Sequence, residues 1–150
     1  MEGAALKSFI DYNAEHHFPL ENIPFGCYQA GDKIHCCTRI GDKIIDLADI
    51  FQHFDGEYFK SLKENIFDKD TLNTFADLGK EFRIEARATI QKLFSADNAA
   101  NAASFAGCMK DVASVQMTMP IFIRDYTDFY SSKNHAYNVG VMMRGADNAL

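Results

Sequence analysis

The stretch Gly31–Asp46 reads GDKIHCCTRIGDKIID, and it sets the fold class. The tetrapeptide GDKI occurs twice, at Gly31–Ile34 and Gly41–Ile44, and the residues between alternate in character. Successive side chains of an extended chain point to opposite faces. Ile34, Cys36, Thr38 and Ile40 therefore share one face, while Lys33, His35, Cys37 and Arg39 share the other. Gly-Asp is a turn signal, and a strand bracketed by two of them predicts a tight antiparallel meander. The repeat is turn chemistry and not a solenoid unit. Upstream, NIPFGCYQA supplies another short strand after Pro24, and downstream KIIDLADI supplies a third. Short strands at such close spacing favour a small barrel or sandwich.

From Thr71 the period changes. Thr71 is placed to cap a helix carrying Leu72, Phe75 and Leu78, with Gly79 as its break. A stronger amphipathic run follows, in which Phe82, Ala86, Ile90 and Leu93 or Phe94 mark an apolar stripe. Lys80, Glu81, Arg83, Glu85 and Arg87 lie mostly off that stripe and read as a solvated face. SADNAANAASFAGCM, rich in Ala and Asn, reads as a loop leading into a short helix. ASVQMTMPIFI then alternates Val115, Met117 and Met119 against Ser114, Gln116 and Thr118 as a strand, punctuated by Pro120. The change of pattern puts a domain boundary near Met117 to Pro120.

Composition limits the function classes. A chain of 150 residues has room for one ordinary domain, or for a small domain and the start of another. Hydrophobic residues make up 47% and aromatics 13%, which is enough for a real core. The net charge of −6, with no Lys/Arg block, argues against nucleic acid and anionic membrane as partners. No apolar run approaches the roughly 20 residues that span a bilayer. The N-terminus lacks the basic flank and apolar stretch of a signal peptide, so a cytoplasmic location is expected. The four cysteines, Cys27, Cys36, Cys37 and Cys108, form no C-x-x-C pair and read as free thiols packed as small hydrophobes. His35-Cys36-Cys37 could suggest a metal, but alternation on a strand keeps these side chains from converging on one ion.

The densest chemistry lies in IRDYTDFYSSKNHAYNVGVMMRGADNAL, Ile123 to Leu150. If FIRDYTDFYSS is extended, Tyr126, Asp128 and Tyr130 share one side. A carboxylate flanked by two phenols can line a polar pocket, and Asp is a hard oxygen ligand suited to Ca²⁺ or Mg²⁺. The same pattern also fits an Asp128 that caps a turn between rim aromatics. Ser131 and Ser132 are good N-caps for a helix through KNHAYNVGVMM, which would put His135 near its first turn. The positive end of the helix dipole opposes the imidazolium form there, and a general base must be neutral. An exposed or structurally bonded histidine is the alternative. Arg144, beside Gly145, could clamp a carboxylate bidentately or satisfy carbonyls at the helix C-terminus.

DYTDFYSSKNHAYNVGVMMRGADNAL resembles the signature of the fumarylacetoacetase family, hydrolases that end tyrosine catabolism. SFIDYNAEHHFPLENIPFGCY, IGDKIIDLADI and LNTFADLGKEFRIEARATIQKLFS resemble successive parts of that family's N-terminal region. The resemblance implies a β-rich α+β chain: an SH3-like β-barrel domain with helices over residues 1–118, then the first segment of a β-rich catalytic domain over 119–150. Carried over residue by residue, Asp128 matches the first metal-ligand aspartate and His135 the catalytic histidine. Tyr130 and Arg144 match substrate-binding positions. The implied reaction is cleavage of a carbon–carbon bond of a small β-diketo acid by water, giving fumarate and acetoacetate. The implied metal is Ca²⁺ or Mg²⁺, and the implied assembly is a homodimer. Family members are much longer, and their further metal ligands lie past Leu150, so the chain is expected to be part of a larger enzyme. Two other readings stand beside this one. One is a hydrolase of another β-diketone or an acylpyruvate, and the other is a non-catalytic interaction module.

Overall fold

A computed structural model describes residues 6–150. Its centre is the expected meander. Strands β1 (Phe25–Ala30), β2 (Lys33–Ile40) and β3 (Lys43–Asp46) pair antiparallel, joined by Gly31-Asp32 and Gly41-Asp42. Gly31 and Gly41 sit at φ 60° and 54°, the left-handed geometry that the first central residue of a type II′ hairpin turn requires. These turns fix the register, with Tyr28 opposite His35 and Cys37 opposite Asp46.

Two short strands extend the sheet, β4 (Met109–Asp111) beside β3 and β5 (Gln116–Thr118) beside β1, giving the order β4-β3-β2-β1-β5. The sheet stays open, so the closure expected of an SH3-like barrel is not seen. The strands at its two edges are only three residues long, too short to wrap and pair with each other.

The two faces of the sheet are covered unequally. Cys27, Cys36, Ile40 and Ile45 face the main core with Leu20, Leu47, Phe54, Phe59, Phe67 and Phe75. Burying side chains of this size contributes about 1.5–3 kcal/mol each. Tyr28, Cys37 and Ile44 face the other way, under Val112 and Val115. The sulfurs of Cys36 and Cys37 thus lie on opposite sides of the sheet, and all four cysteines are free and buried. Burial pushes the Cys37 thiol up to about 12 and the Cys108 thiol to about 11.

Helix α1 (Asn73–Asp77) begins two residues after Thr71, and its N-cap is Leu72 with no side-chain cap bond. Thr71 therefore does not cap it. Helix α2 (Lys80–Leu93) buries Ala86 and Ile90, followed by Phe94 at its end, as the stripe predicts. Its charged face is not simply solvated. The Glu85 carboxylate accepts from the backbone N–H groups of Tyr58 and Phe59, at 3.1 and 2.9 Å. Arg87 donates to the carbonyls of Ile23 and Glu21. Ionic groups on α2 thus hold two loops that have no ladder of their own. The Ala/Asn-rich stretch forms consecutive 3₁₀ turns over Ala96–Cys108, opened by Ser95 as a side-chain cap.

Candidate functional site

The segment bearing the sequence-predicted site leaves the body just after β5. The Leu72 N–H donates to the Pro120 carbonyl at 2.8 Å. The Asn73 side chain grips the next residues from both sides: its Oδ1 accepts from the Phe122 N–H at 2.8 Å, and its Nδ2 donates to the Phe122 carbonyl at 3.0 Å. Beyond that point the chain runs over the surface, and every residue from Ile121 to His135 is exposed. Asp128 and Tyr130 lie in this run, outside any ladder among the described residues. The two sides expected of an extended strand therefore do not become an inner and an outer face here.

Helix α3 (Lys133–Arg144) starts where the serines predict. Ser132 is the N-cap, and its hydroxyl accepts from the His135 N–H at 3.4 Å. His135 thus falls in the first turn, where free N–H groups and the helix dipole gather positive potential. The Tyr130 ring meets the His135 ring edge-on at 5.2 Å. That is the contact the fold makes between two of the four predicted residues. Among the described residues no hydrogen bond or ion pair joins Asp128 to His135 or to Arg144.

Arg144 ends the helix before Gly145, which has φ 82°. Its Nε donates to the Asn148 carbonyl at 3.0 Å and an Nη to the Ala149 carbonyl at 2.9 Å. These bonds fold the last residues back over α3, where Gly140 makes room. A Cβ at that position would collide with the Ala149 carbonyl. The carbonyls that Arg144 meets belong to the turn after the helix and not to the helix C-terminus itself, while its other Nη has no protein partner among the described residues.

The surroundings of these side chains are unusually apolar for a surface. Met142 and Met143 are 76% and 77% exposed, and Phe122, Ile123, Phe129, Tyr126 and Leu150 are exposed as well. As for a cation, Asp128 has the right donor chemistry, but a hard cation takes about 6–8 oxygen ligands. Among the described residues no group of three or more His, Cys, Asp or Glu side chains is placed to hold an ion. The residues present therefore do not make a metal site by themselves.

Sequence reasoning missed a second polar cluster, within the body. Asp46 is buried, and its Oδ2 accepts from the Tyr28 hydroxyl at 2.9 Å and pairs with His35 Nδ1 at 2.8 Å. Its Oδ1 accepts from the Ala48 N–H at 2.9 Å. The Tyr28 and His35 rings stack at 5.2 Å. Burial, reinforced by the Asp46 charge, raises the Tyr28 hydroxyl and keeps it a donor. The signal was available, because two-residue turns at both GD pairs fix a register that puts Tyr28, His35 and Asp46 on one face. The cluster ties three strands together and leaves the half-exposed His35 at its edge.

Comparison with known proteins places the chain in a family. The family model described as fumarylacetoacetase N-terminal matches residues 21–120. Among curated proteins, fumarylacetoacetase of Dictyostelium discoideum is 41% identical over 152 residues, covering 97% of this chain and 35% of that protein. Fumarylacetoacetase of Caenorhabditis elegans is 41% identical over 150 residues, covering 97% of this chain and 36% of its own. The human fumarylacetoacetase is 39% identical over 148 residues, covering 95% and 35%. The chain therefore spans little more than a third of the length of the relatives it matches. Among the described residues no helix is long and apolar enough to cross a membrane.

Proposed function

The chain belongs to the fumarylacetoacetase N-terminal family, and on that premise we propose that it is the N-terminal portion of a hydrolase cleaving a carbon–carbon bond of fumarylacetoacetate. The products would be fumarate and acetoacetate, in tyrosine and phenylalanine catabolism. Residues 1–118 would form the N-terminal domain, and residues 119–150 would open the catalytic domain. The observation that carries this reading is the Ser132 cap, which sets His135 in the first turn of α3 with the Tyr130 ring against it.

In this proposal His135 is the general base. It takes a proton from water, and the resulting hydroxide adds to the ketone carbon of the β-diketo acid. The bond between that carbon and the central carbon then breaks, leaving a carbanion stabilised by the remaining ketone, which picks up a proton to give acetoacetate. Tyr130 would hydrogen-bond a substrate oxygen. Arg144 would hold a carboxylate through its uncommitted nitrogen or by exchanging its backbone partners for substrate. Asp128 would give one oxygen to a Ca²⁺ or Mg²⁺ ion, with the other ligands supplied by the part of the relatives' length that this chain does not span. A cytoplasmic homodimer is the setting that the resemblance implies.

Assay of the complete enzyme on fumarylacetoacetate and on an acylpyruvate tests the substrate. Turnover of fumarylacetoacetate at least tenfold faster (about 1.4 kcal/mol of barrier) supports the reading, and preference for the acylpyruvate overturns it. Calorimetric titration with Ca²⁺ or Mg²⁺ tests Asp128. Asp128→Asn should weaken binding without changing the fold, and equal affinity would remove Asp128 from the ligand set.

A further inference from the structure

The last firm attachment between the body and the segment carrying Asp128, Tyr130 and His135 is the side chain of Asn73. Its amide makes both hydrogen bonds of a ladder rung, accepting from Phe122 N–H and donating to Phe122 C=O. Beside it the Leu72 N–H holds Pro120. Both contacts use the first residues of α1, so the segment is registered against a helix end and not against the sheet. Leu72 and Phe75 fix that helix end in the main core. From Ile121 through His135 every side chain is exposed, and no other hydrogen bond returns this stretch to the body among the described residues.

We propose that Asn73 is a positioning residue for the reaction. By clamping Phe122 it sets the point and direction from which the site-bearing segment leaves the N-terminal body. This rests on the functional reading above but uses different residues. Its role is to act through the backbone of Phe122. Only a side chain with a donor and an acceptor at this reach can make both bonds, since a backbone N–H and C=O must be met together. Displacing reacting groups by about 1 Å can cost on the order of a hundredfold in rate. Part of that constraint is shared with the Pro120 contact, so loss of the clamp should cost about tenfold.

The test substitutes Asn73→Ala and Asn73→Asp. Alanine is a good helix former at the start of α1, so the body should keep its fold. Asparagine-to-aspartate keeps the acceptor for Phe122 N–H and loses the donor to its carbonyl. In the 150-residue chain, the Phe122 amide should exchange with solvent at least tenfold faster in Asn73→Ala, with exchange in β1–β3 unchanged. In the complete enzyme, kcat should fall about tenfold in Asn73→Ala and less in Asn73→Asp, while KM moves less than twofold. His135→Asn is assayed in parallel. If it abolishes turnover while Asn73→Ala leaves kcat intact, the positioning role is wrong and the functional reading stands. If His135→Asn leaves turnover intact, the functional reading is wrong, and the inference falls with it. An unchanged Phe122 exchange rate overturns the clamp whatever the activity does.

Discussion

Residues 6–118 and the residues that follow them are stabilised in different ways. In the first region strands, helices and loops converge on a main apolar core, with a smaller cluster on the other face of the sheet, and charged groups of α2 are bound to loop backbone. In the second, bonds are mostly local: Ser132 caps its own helix and Arg144 holds the turn that follows it. The residues proposed for catalysis and binding sit where packing is weakest. Apolar side chains such as Met142 and Phe129 remain in water there, although burial of comparable ones stabilises the body by about 1.5–3 kcal/mol each. The residues proposed for the site are thus held out from a stable platform and do not lie inside it.

The strongest way to sharpen the contrast is to damage the platform alone. Asp46→Ala leaves the buried Tyr28 hydroxyl and the Ala48 N–H without their acceptor. Each such group costs about 1–3 kcal/mol, so denaturant unfolding should show a loss of about 3 kcal/mol. Among the described residues no hydrogen bond or ion pair joins helix α3 to Asp46, so α3 should keep its local structure where the body is still folded.

Damage to the exposed region should appear in rate and not in stability. His135→Asn in the complete enzyme should lower kcat at least about a hundredfold (about 2.7 kcal/mol), with KM much less affected. A raised KM with kcat intact would make His135 a binding residue.

Several of these local elements were legible in the sequence. GD turns, strand alternation, the α2 stripe and the Ser132 cap are local signals, and each corresponds to an observed element. What was not legible depends on partners far along the chain. Glu85 looked like surface charge because its acceptor role needs Tyr58 and Phe59 to loop back against α2. Asn73 carried no local signal, because its partner Phe122 lies 49 residues further along the chain. Strand spacing favoured a small barrel or sandwich and the resemblance implied an SH3-like barrel, but neither reveals that the edge strands β4 and β5 are only three residues long and leave the sheet open. Arg144 was left with two readings, and its local geometry depends on Gly140 admitting the Ala149 carbonyl.

Two smaller effects probe how the platform uses charge. Glu85→Ala removes the acceptor of two loop N–H groups at a half-buried position, and it should cost about 1–2 kcal/mol by thermal or denaturant unfolding. Asp49 has its carboxyl raised by partial burial and by the Asp46 charge, opposed by Lys110 and His35. The native state therefore holds that proton to higher pH than the unfolded chain, and ionisation weakens stability as pH rises through the carboxylate range. Asp49→Asn should give a slightly higher Tm at neutral pH, with the gap closing toward about pH 4. A gap that widens on acidification would reverse the assignment.

Amide hydrogen exchange of the 150-residue chain, resolved by residue, compares the two regions most directly. Amides of β1, β2, β3 and the centre of α2 should exchange only through global unfolding, and those from Ile123 to Tyr130 at rates close to an unstructured peptide. Equal protection of Ile123–Tyr130 and β2 would contradict the division, showing that the site-bearing segment is ordered by the body itself.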